Sequence, residues 1–341
     1  MLLRIDLSRC LRNWNKHSKC RECIAACKFN ALKVGESRGI EIDETRCVAC
    51  GSCVSACPVS VFDLGVDELI EKTVEKKRPG AIVISCRENL KTEEDVFHSL
   101  RLCINALKVE HYLLMLDSYD KIYIDARCDE CPWRGKGVDI IDRLLEIVSN
   151  REDLAKKLVV LRGVEETFYP VREEFKVLAI DLAEIAIQLH GIPLAELYGG
   201  SRGMDNKRLR KFTPRIRLEA SEVARRRNLE IRVKGPEIIE DKCNLCRICE
   251  DICPTNAISV NERSGVIAIS YSRCIECLHC IDLCPYKALY PDLKLIYDIR
   301  LGYVENRICE TCGRAYNKKL EECPYCKASK DLENYVRKLF T

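Results

Sequence analysis

Cysteine spacing constrains this chain more than any other feature. Of its 341 residues 24 are cysteine, and most stand in a repeated Cys-x-x-Cys-x-x-Cys-x-x-x-Cys run. Three copies are complete: Cys47, Cys50, Cys53 and Cys57 before Pro58; Cys243, Cys246, Cys249 and Cys253 before Pro254; and Cys274, Cys277, Cys280 and Cys284 before Pro285. Thiolates at this spacing hold [4Fe–4S] cores, with three cysteines of a run on one core and the fourth on its neighbour. Segments this short are held together by their metal rather than by an apolar core. The region between the runs must therefore carry most of the ordinary hydrophobic core.

A further run near the amino terminus is irregular. Cys20, Cys23 and Cys27 match the second, third and fourth positions, and Lys28 stands where proline is usual. Two residues compete for the first position. The standard spacing counts back to His17, whereas the frame Ile5-Asp6-Leu7-Ser8-Arg9-Cys10 matches Ile42-Asp43-Glu44-Thr45-Arg46-Cys47 and the ending Tyr271-Ser272-Arg273-Cys274. The frame favours Cys10, with a seven-residue insertion ahead of Cys20; a histidine ligand would raise that cluster's potential. Residues 31–43, around Gly35 and Gly39, and residues 257–269, turning at Ser264-Gly265, read as β-hairpins.

On these runs, residues 1–65 and 238–292 resemble bacterial dicluster ferredoxins. The resemblance implies α+β ferredoxin-like units with cross-ligated [4Fe–4S] clusters. In the first unit it pairs Cys10, Cys20, Cys23 and Cys57 beside Cys47, Cys50, Cys53 and Cys27. In the second it pairs Cys243, Cys246, Cys249 and Cys284 beside Cys274, Cys277, Cys280 and Cys253.

After Pro79-Gly80 the pattern alternates. Residues 81–84 read as a strand ending at Ser85-Cys86, and a helical stretch is expected from Thr92 to Ser99. Leu100-Arg101-Leu102 ends at Cys103, and a second helix is expected from Ala106 to Leu116. Residues 121–125 read as a strand leading to Cys128 and Cys131, residues 138–157 as helical, and residues 158–161 as another strand. Strands alternating with helices predict an α/β domain with a parallel sheet. Cys86, Cys103, Cys128 and Cys131 then follow carboxyl strand ends, the edge at which open α/β sheets bind ligands. Four thiols at one edge point to a metal site, a [2Fe–2S] cluster being the reading; buried structural cysteine is the alternative and suits Cys103 taken alone. With its strand–Cys order and the helix start at Arg134-Gly135-Lys136-Gly137, this stretch resembles the iron–sulfur domain of the delta subunit of methyl-viologen-reducing hydrogenase. That resemblance implies a [2Fe–2S] cluster and a link to heterodisulfide reductase.

Residues 166–237 read as a helical basic linker region. Val177 to Leu189 is a helix candidate, and Tyr198-Gly199-Gly200-Ser201-Arg202-Gly203 reads as a loop without the dinucleotide fingerprint. Arg202 to Lys234 holds 12 Lys or Arg against four acidic residues. An acidic docking partner, an RNA stripe and a merely solvated helix are the three readings. In the tail, Cys309 and Cys312, then Cys323 and Cys326, form two Cys-x-x-Cys knuckles ten residues apart. That is the pattern of a zinc ribbon, four thiolates around one tetrahedral ion, with iron as the rival metal. The expected domains are a dicluster unit at 1–65, the α/β domain at 66–165, the linker at 166–237, a second dicluster unit at 238–295, and the ribbon with a helix at Leu332–Leu339 at 296–341.

The cysteines divide without remainder: 16 for four [4Fe–4S] clusters, four for the middle and four for the ribbon. The formal charge of +3 treats them as neutral. Four clusters at about −2 each make the loaded protein acidic, which removes the electrostatic motive for nucleic acid. Metal-ligand spacing in a long chain points to a reducing compartment. The first motif follows Met1 too closely for a cleavable leader, and no apolar run is long enough to span a membrane. A cytoplasmic location is expected. The whole layout resembles multi-cluster ferredoxin subunits of formate dehydrogenase, hydrogenase or aldehyde oxidoreductase assemblies. The resemblance implies a relay of single electrons between a catalytic oxidoreductase subunit and a redox partner such as ferredoxin, with no substrate chemistry of its own. The alternative is an assembly or scaffold factor for a molybdenum, tungsten or nickel enzyme.

Overall fold

The computed structural model describes residues 3–14, 18–36, 39–75, 80–86, 96–128, 131, 137–162 and 211–339. The chain divides into two compact units, residues 1–210 with 215–230, and residues 211–214 with 231–341.

The first unit opens with β1 (Arg4–Ile5), α1 (Leu11–Trp14), α2 (Glu22–Ala26), β2 (Leu32–Val34), β3 (Ile40–Ile42), α3 (Ser52–Ala56) and β4 (Phe62–Asp63). β2 and β3 form the expected hairpin, with Lys33 opposite Glu41, and β1 pairs antiparallel with β4. Elements this short bury little. The apolar centre comes from Leu11, Val54, Val59, Val61 and Phe62, beneath α2 and α3, which pack on each other.

The chain continues through α4 (Val66–Glu75), β5 (Ala81–Ser85), β6 (Val96–Arg101), a tight 3-10 turn at Ile104–Ala106, α5 (Val109–Ser118), β7 (Lys121–Asp125), α6 (Gly137–Val148), α7 (Glu152–Ala155) and β8 (Leu158–Leu161). The four strands are parallel, as expected, in the order β6-β5-β7-β8. Every residue of β5 is buried, which suits a strand of a parallel sheet covered on both faces. α5 is apolar on nearly every side and buries Val109 and residues 111–116, so it lies within the domain rather than on its surface. Burial of each large apolar side chain here contributes about 1.5–3 kcal/mol. α4, α6 and α8 (Arg215–Arg226) pack around it. α8 is held by its basic residues: Arg217 pairs with Glu110 at 3.0 Å, Arg226 and Arg227 with Asp117 at 3.0 and 2.8 Å, and Arg215 with Glu71 at 3.4 Å. Ion pairs within the chain thus occupy the basic residues along this helix.

Some elements differ from expectation. Residues 96–99, expected as helix, are strand: Val96-Phe97-His98-Ser99 is poor in helix formers, and pairing with β5 settles it. Residues 92–95 lie outside the described residues. The second helix starts at Val109 because residues 104–106 turn as 3-10. The helix expected over 138–157 breaks at Ser149-Asn150, where the Ser149 hydroxyl bonds the Glu146 carbonyl at 2.8 Å and competes with the helical ladder. The helix candidate at 177–189, the loop at 198–203 and the 202–210 portion of the basic run lie outside the described residues.

The second unit contains β9 (Arg232–Ile238), α9 (Ile248–Asp251), β10 (Ile258–Asn261), β11 (Val266–Ser270), α10 (His279–Asp282), β12 (Leu289–Leu295), β13 (Ile299–Tyr303), β14 (Asn306–Ile308), β15 (Ala315–Asn317) and α11 (Pro324–Leu339). β10 and β11 are the expected hairpin, extended by β13, while β9 pairs with β12. Buried Glu237 of β9 ties the sheets together through Arg300 at 2.6 Å and Lys294 at 2.7 Å. Pairing on both sides offsets the desolvation of its carboxylate. The terminal helix starts at Pro324, ahead of the expected Leu332, on a residue pre-set for a first helical turn. No described helix is long and apolar enough to cross a membrane.

Candidate metal centres

In the first unit the two short helices that carry a cysteine also end on one. α2 carries Cys23 and is capped by Cys27; α3 carries Cys53 and is capped by Cys57. Packing α2 on α3 sorts the thiols across the two runs. Burial pushes Cys23 up to about 12, reinforced by the thiols of Cys57, Cys20 and Cys10. Burial pushes Cys53 up to about 12 as well, reinforced by Cys47, Cys50, Cys23 and Cys27. Two cavities follow this sorting. One of about 320 Å³ is walled by Cys10, Cys20, Cys23 and Cys57 with Leu11, Ile40 and Val61. The other, of about 460 Å³, is walled by Cys27, Cys47, Cys50 and Cys53 with Phe29, Leu32 and Ile42. Cys10 is therefore in the wall of the first cavity, while His17 lies outside the described residues.

The second unit repeats the arrangement. A cavity of about 370 Å³ is walled by Cys253, Cys274, Cys277 and Cys280. Burial pushes Cys249 up to about 12, reinforced by Cys243, Cys246 and Cys284. The third cysteines of paired runs are neighbours in both units: Cys23 acts on Cys53, and Cys249 on Cys280.

One backbone device recurs in all four runs. The third residue after the last cysteine is left-handed, at φ 51° for Asn30, 50° for Ser60, 52° for Asn256 and 46° for Lys287. The next amide then donates to the cysteine sulfur: Ala31 N to Cys27 Sγ at 3.3 Å, Val61 N to Cys57 Sγ at 3.3 Å, Ala257 N to Cys253 Sγ at 3.2 Å, and Ala288 N to Cys284 Sγ at 3.3 Å. Such donors stabilise negative charge on sulfur and tune a metal bound to it. Sequence reasoning missed this feature. Only Asn30 and Asn256 belong to a type enriched in the left-handed region.

Buried thiols keep their protons when alone, so thiolate ligation here requires a cationic core to offset desolvation. An all-sulfur donor set whose sulfurs do not converge within 4.8 Å of one another, as they would on a single ion, fits an iron–sulfur core.

At the carboxyl edge of the parallel sheet, Cys86 follows β5, Cys103 follows β6 and Cys128 follows β7. Burial pushes Cys103 up to about 12, with Cys86 and Cys128 adding to the shift. Cys131 sits one turn from Cys128, its amide bonding the Cys128 carbonyl at 3.1 Å. Asp125, buried at the end of β7, accepts from the Ser85 hydroxyl at 2.9 Å and from Arg127 through a fork at 2.9 and 3.1 Å. Burial alone would raise its pKa; Arg127 and Ser85 more than offset this and hold it below the usual carboxylate value. Asp125 thus fixes the residues just ahead of Cys86 and Cys128.

The tail thiols are packed far more tightly. Cys309 and Cys326 sulfurs stand 3.7 Å apart and those of Cys312 and Cys323 3.6 Å apart. All four lie within 4.8 Å of one another, and no other set among the described residues does. A tetrahedral ion with metal–sulfur bonds of about 2.3 Å places its sulfurs about 3.8 Å apart, so this group suits a single ion. Amide donors from Cys312 and Thr311 hold Cys309 down to about 6. Asn317, also missed from sequence, joins the knuckles to the second dicluster unit. Its buried amide donates to the carbonyls of Cys243 at 2.9 Å and Asp241 at 3.2 Å, and its backbone amide donates to Asn244 Oδ1 at 3.2 Å.

The family of 4Fe-4S dicluster domains matches residues 18–61 and 242–288. A component of the Na(+)-translocating ferredoxin:NAD(+) oxidoreductase complex of Acetobacterium woodii is 31% identical over 113 residues, 32% of this chain and 33% of that protein. The polyferredoxin-like subunit of aliphatic sulfonate oxidoreductase of Pyrococcus furiosus is 48% identical over 40 residues, 11% of this chain and 23% of that protein. The chain spans about a third or less of the length of these relatives. It carries two 4Fe-4S dicluster domains, one in each compact unit.

Proposed function

We propose that this chain is an iron–sulfur electron-transfer subunit of an oxidoreductase complex. The observation that carries the reading is the set of cavities each walled by four cysteines drawn from two different runs. Four [4Fe–4S] clusters, when bound, supply reversible one-electron chemistry. The chain's own part is to ligate them through the crossed cysteine sets, to exclude water with apolar walls, and to aim one amide at a sulfur of each run. Cys10 rather than His17 completes the first set, since Cys10 is buried in the cavity wall.

Cys86, Cys103, Cys128 and Cys131 hold a fifth centre of the [2Fe–2S] type at the sheet edge. The tail cysteines hold one zinc ion, which the sulfur separations support. Both relatives bear the names of oxidoreductase components, which supports partner subunits in an oxidoreductase complex; the partners proposed are a catalytic subunit of hydrogenase, formate dehydrogenase or aldehyde oxidoreductase type and a second redox protein such as ferredoxin. Anaerobic isolation from native cells, with metal and acid-labile sulfide analysis and mass spectrometry of bound proteins, tests the reading. Recovery with a metal-dependent oxidoreductase and clusters that cycle at low potential is expected. Clusters that stay redox-silent toward viologen and ferredoxin would sink it.

A further inference from the structure

Among the described residues Tyr112 is the largest side chain buried without a trace of exposure, at 0%. Its hydroxyl is buried with no hydrogen-bond partner among the described residues. A tyrosine hydroxyl removed from water normally finds an acceptor, because leaving that bond unmade costs about 1–3 kcal/mol. Burial raises the phenol's pKa, and the charges that act on it further are the thiols of Cys103 and Cys128. Tyr112 lies on α5, which packs against β7, the strand that leads to Cys128; a group held by Cys103 and Cys128 would supply the missing acceptor.

The turn that follows Cys103 is clamped from two sides. A Cβ on Gly51, which lies between Cys50 and Cys53, would stand 2.6 Å from the Cβ of Ala106. A Cβ on Gly137, at the start of α6, would stand 2.7 Å from the backbone of Ile104 and Asn105. Asn105 locks the contact: its carbonyl accepts from the Ser55 hydroxyl at 2.6 Å and its side-chain oxygen from the Gly137 amide at 3.0 Å. Ser55 belongs to the same short helix as Cys53. Backbone therefore runs in direct contact from the cysteine set of Cys27, Cys47, Cys50 and Cys53 to Cys103.

We propose that Tyr112 donates a hydrogen bond to the iron–sulfur centre at the sheet edge, and that the Ile104–Ala106 turn couples this centre electronically to the one at Cys27, Cys47, Cys50 and Cys53. The inference deepens the electron-transfer reading and rests on it. One electron given up by the reduced dicluster centre reduces the sheet-edge centre; dithionite, a one-electron donor, supplies it in the test. A donor to cluster sulfur favours the more negative, reduced state, so its removal lowers the potential.

The test uses the full chain, reconstituted anaerobically with ferrous iron and sulfide, as wild type, Tyr112→Phe and Cys103→Ala. Redox titration is followed by electron paramagnetic resonance alongside iron analysis. Tyr112→Phe is expected to keep its iron while one midpoint moves to lower potential. In wild type, the signal of the dicluster centre is expected to broaden and relax faster as the sheet-edge centre becomes paramagnetic, and Cys103→Ala to lose that effect with part of the iron. Should Tyr112→Phe titrate identically to wild type, the donor role is overturned; wild-type signals that simply add overturn the coupling. Cys103→Ala retaining all the iron would remove the sheet-edge centre while leaving the four-cluster reading intact. If that variant fails to fold, the wild-type and Tyr112→Phe titrations still decide both points.

Discussion

In the amino-terminal dicluster unit the residue after the second cysteine of the regular run is Gly51, at φ 81°; in the carboxy-terminal unit the same position holds Arg247 and Leu278, at φ 61° and 56°. All three cap the short helix that carries the third cysteine. The backbone shape is therefore a requirement of the run, while the residue type follows from what lies outside it. Gly51 presses on Ala106 and has no room for a side chain. Arg247 is half-exposed and points its guanidinium at Glu250, so a left-handed arginine, costing about 1 kcal/mol, is tolerated. The irregular run departs further: after its insertion Arg21 has φ −140°, yet Cys10, Cys20, Cys23 and Cys57 still wall one cavity. Thiol placement is held in common; what supports the thiols is not. The first unit leans on a parallel sheet with its own apolar core, the second on Glu237 and the Asn317 clasp.

The largest effect that separates the two is metal removal. Chelating iron from the full chain should abolish amide protection throughout residues 238–290, while β5 and β7 keep theirs, because the sheet is stabilised by apolar burial. Hydrogen exchange read by mass spectrometry checks this, and loss of protection in β5 in step with the second unit would break the comparison. Next comes a pair of substitutions at the shared position. Gly51→Ala should destabilise by about 2–4 kcal/mol through overpacking against Ala106 and left-handed strain. Arg247→Gly should be neutral or stabilising by up to about 1 kcal/mol, since the exposed ion pair it loses contributes little. Equal denaturation midpoints for the two variants would show that the Ala106 contact decides nothing.

Asn317→Ala should cost about 1–3 kcal/mol by leaving buried carbonyls unpaired. Exchange in β14 and β15 should rise while native mass spectrometry shows the tail metal retained; metal loss instead would mean that the clasp shapes the knuckles themselves. The smallest effect is in the sheet-bearing unit. Burial would raise the Asp67 pKa, but the hydrogen bond from His111 at 2.9 Å and nearby Lys108 hold it down to about 2. A depressed carboxylate stabilises the fold above its ordinary pKa and loses that contribution only as pH falls toward about 2. Asp67 is half-exposed, so Asp67→Asn should cost less than about 1 kcal/mol, equally at neutral pH and one unit below it. A difference between the two pH values in urea denaturation would implicate another group.

Local spacing made much of this chain legible in advance. The cysteine runs, the hairpins at 32–42 and 258–270, the strand ends at Ser85 and Asp125 and the two knuckles are all properties of short segments. The strand at Val96–Arg101 was not legible, because its residues suit either state weakly and the neighbouring strand decided. Tyr112 reads in sequence as one more apolar position of a buried helix. Asn317 reads as an ordinary turn residue.

Ligand spacing is written along the chain, so the residues that offer sulfur, and the number of sets of four they make, followed from local order alone. Which thiols share a cavity, which amides meet their sulfurs, why Gly51 must be glycine and where the Tyr112 hydroxyl is buried were settled by the folded molecule. Those outcomes depend on contacts between segments dozens of residues apart, whose close approach is set by packing and left-handed backbone turns rather than by any local preference.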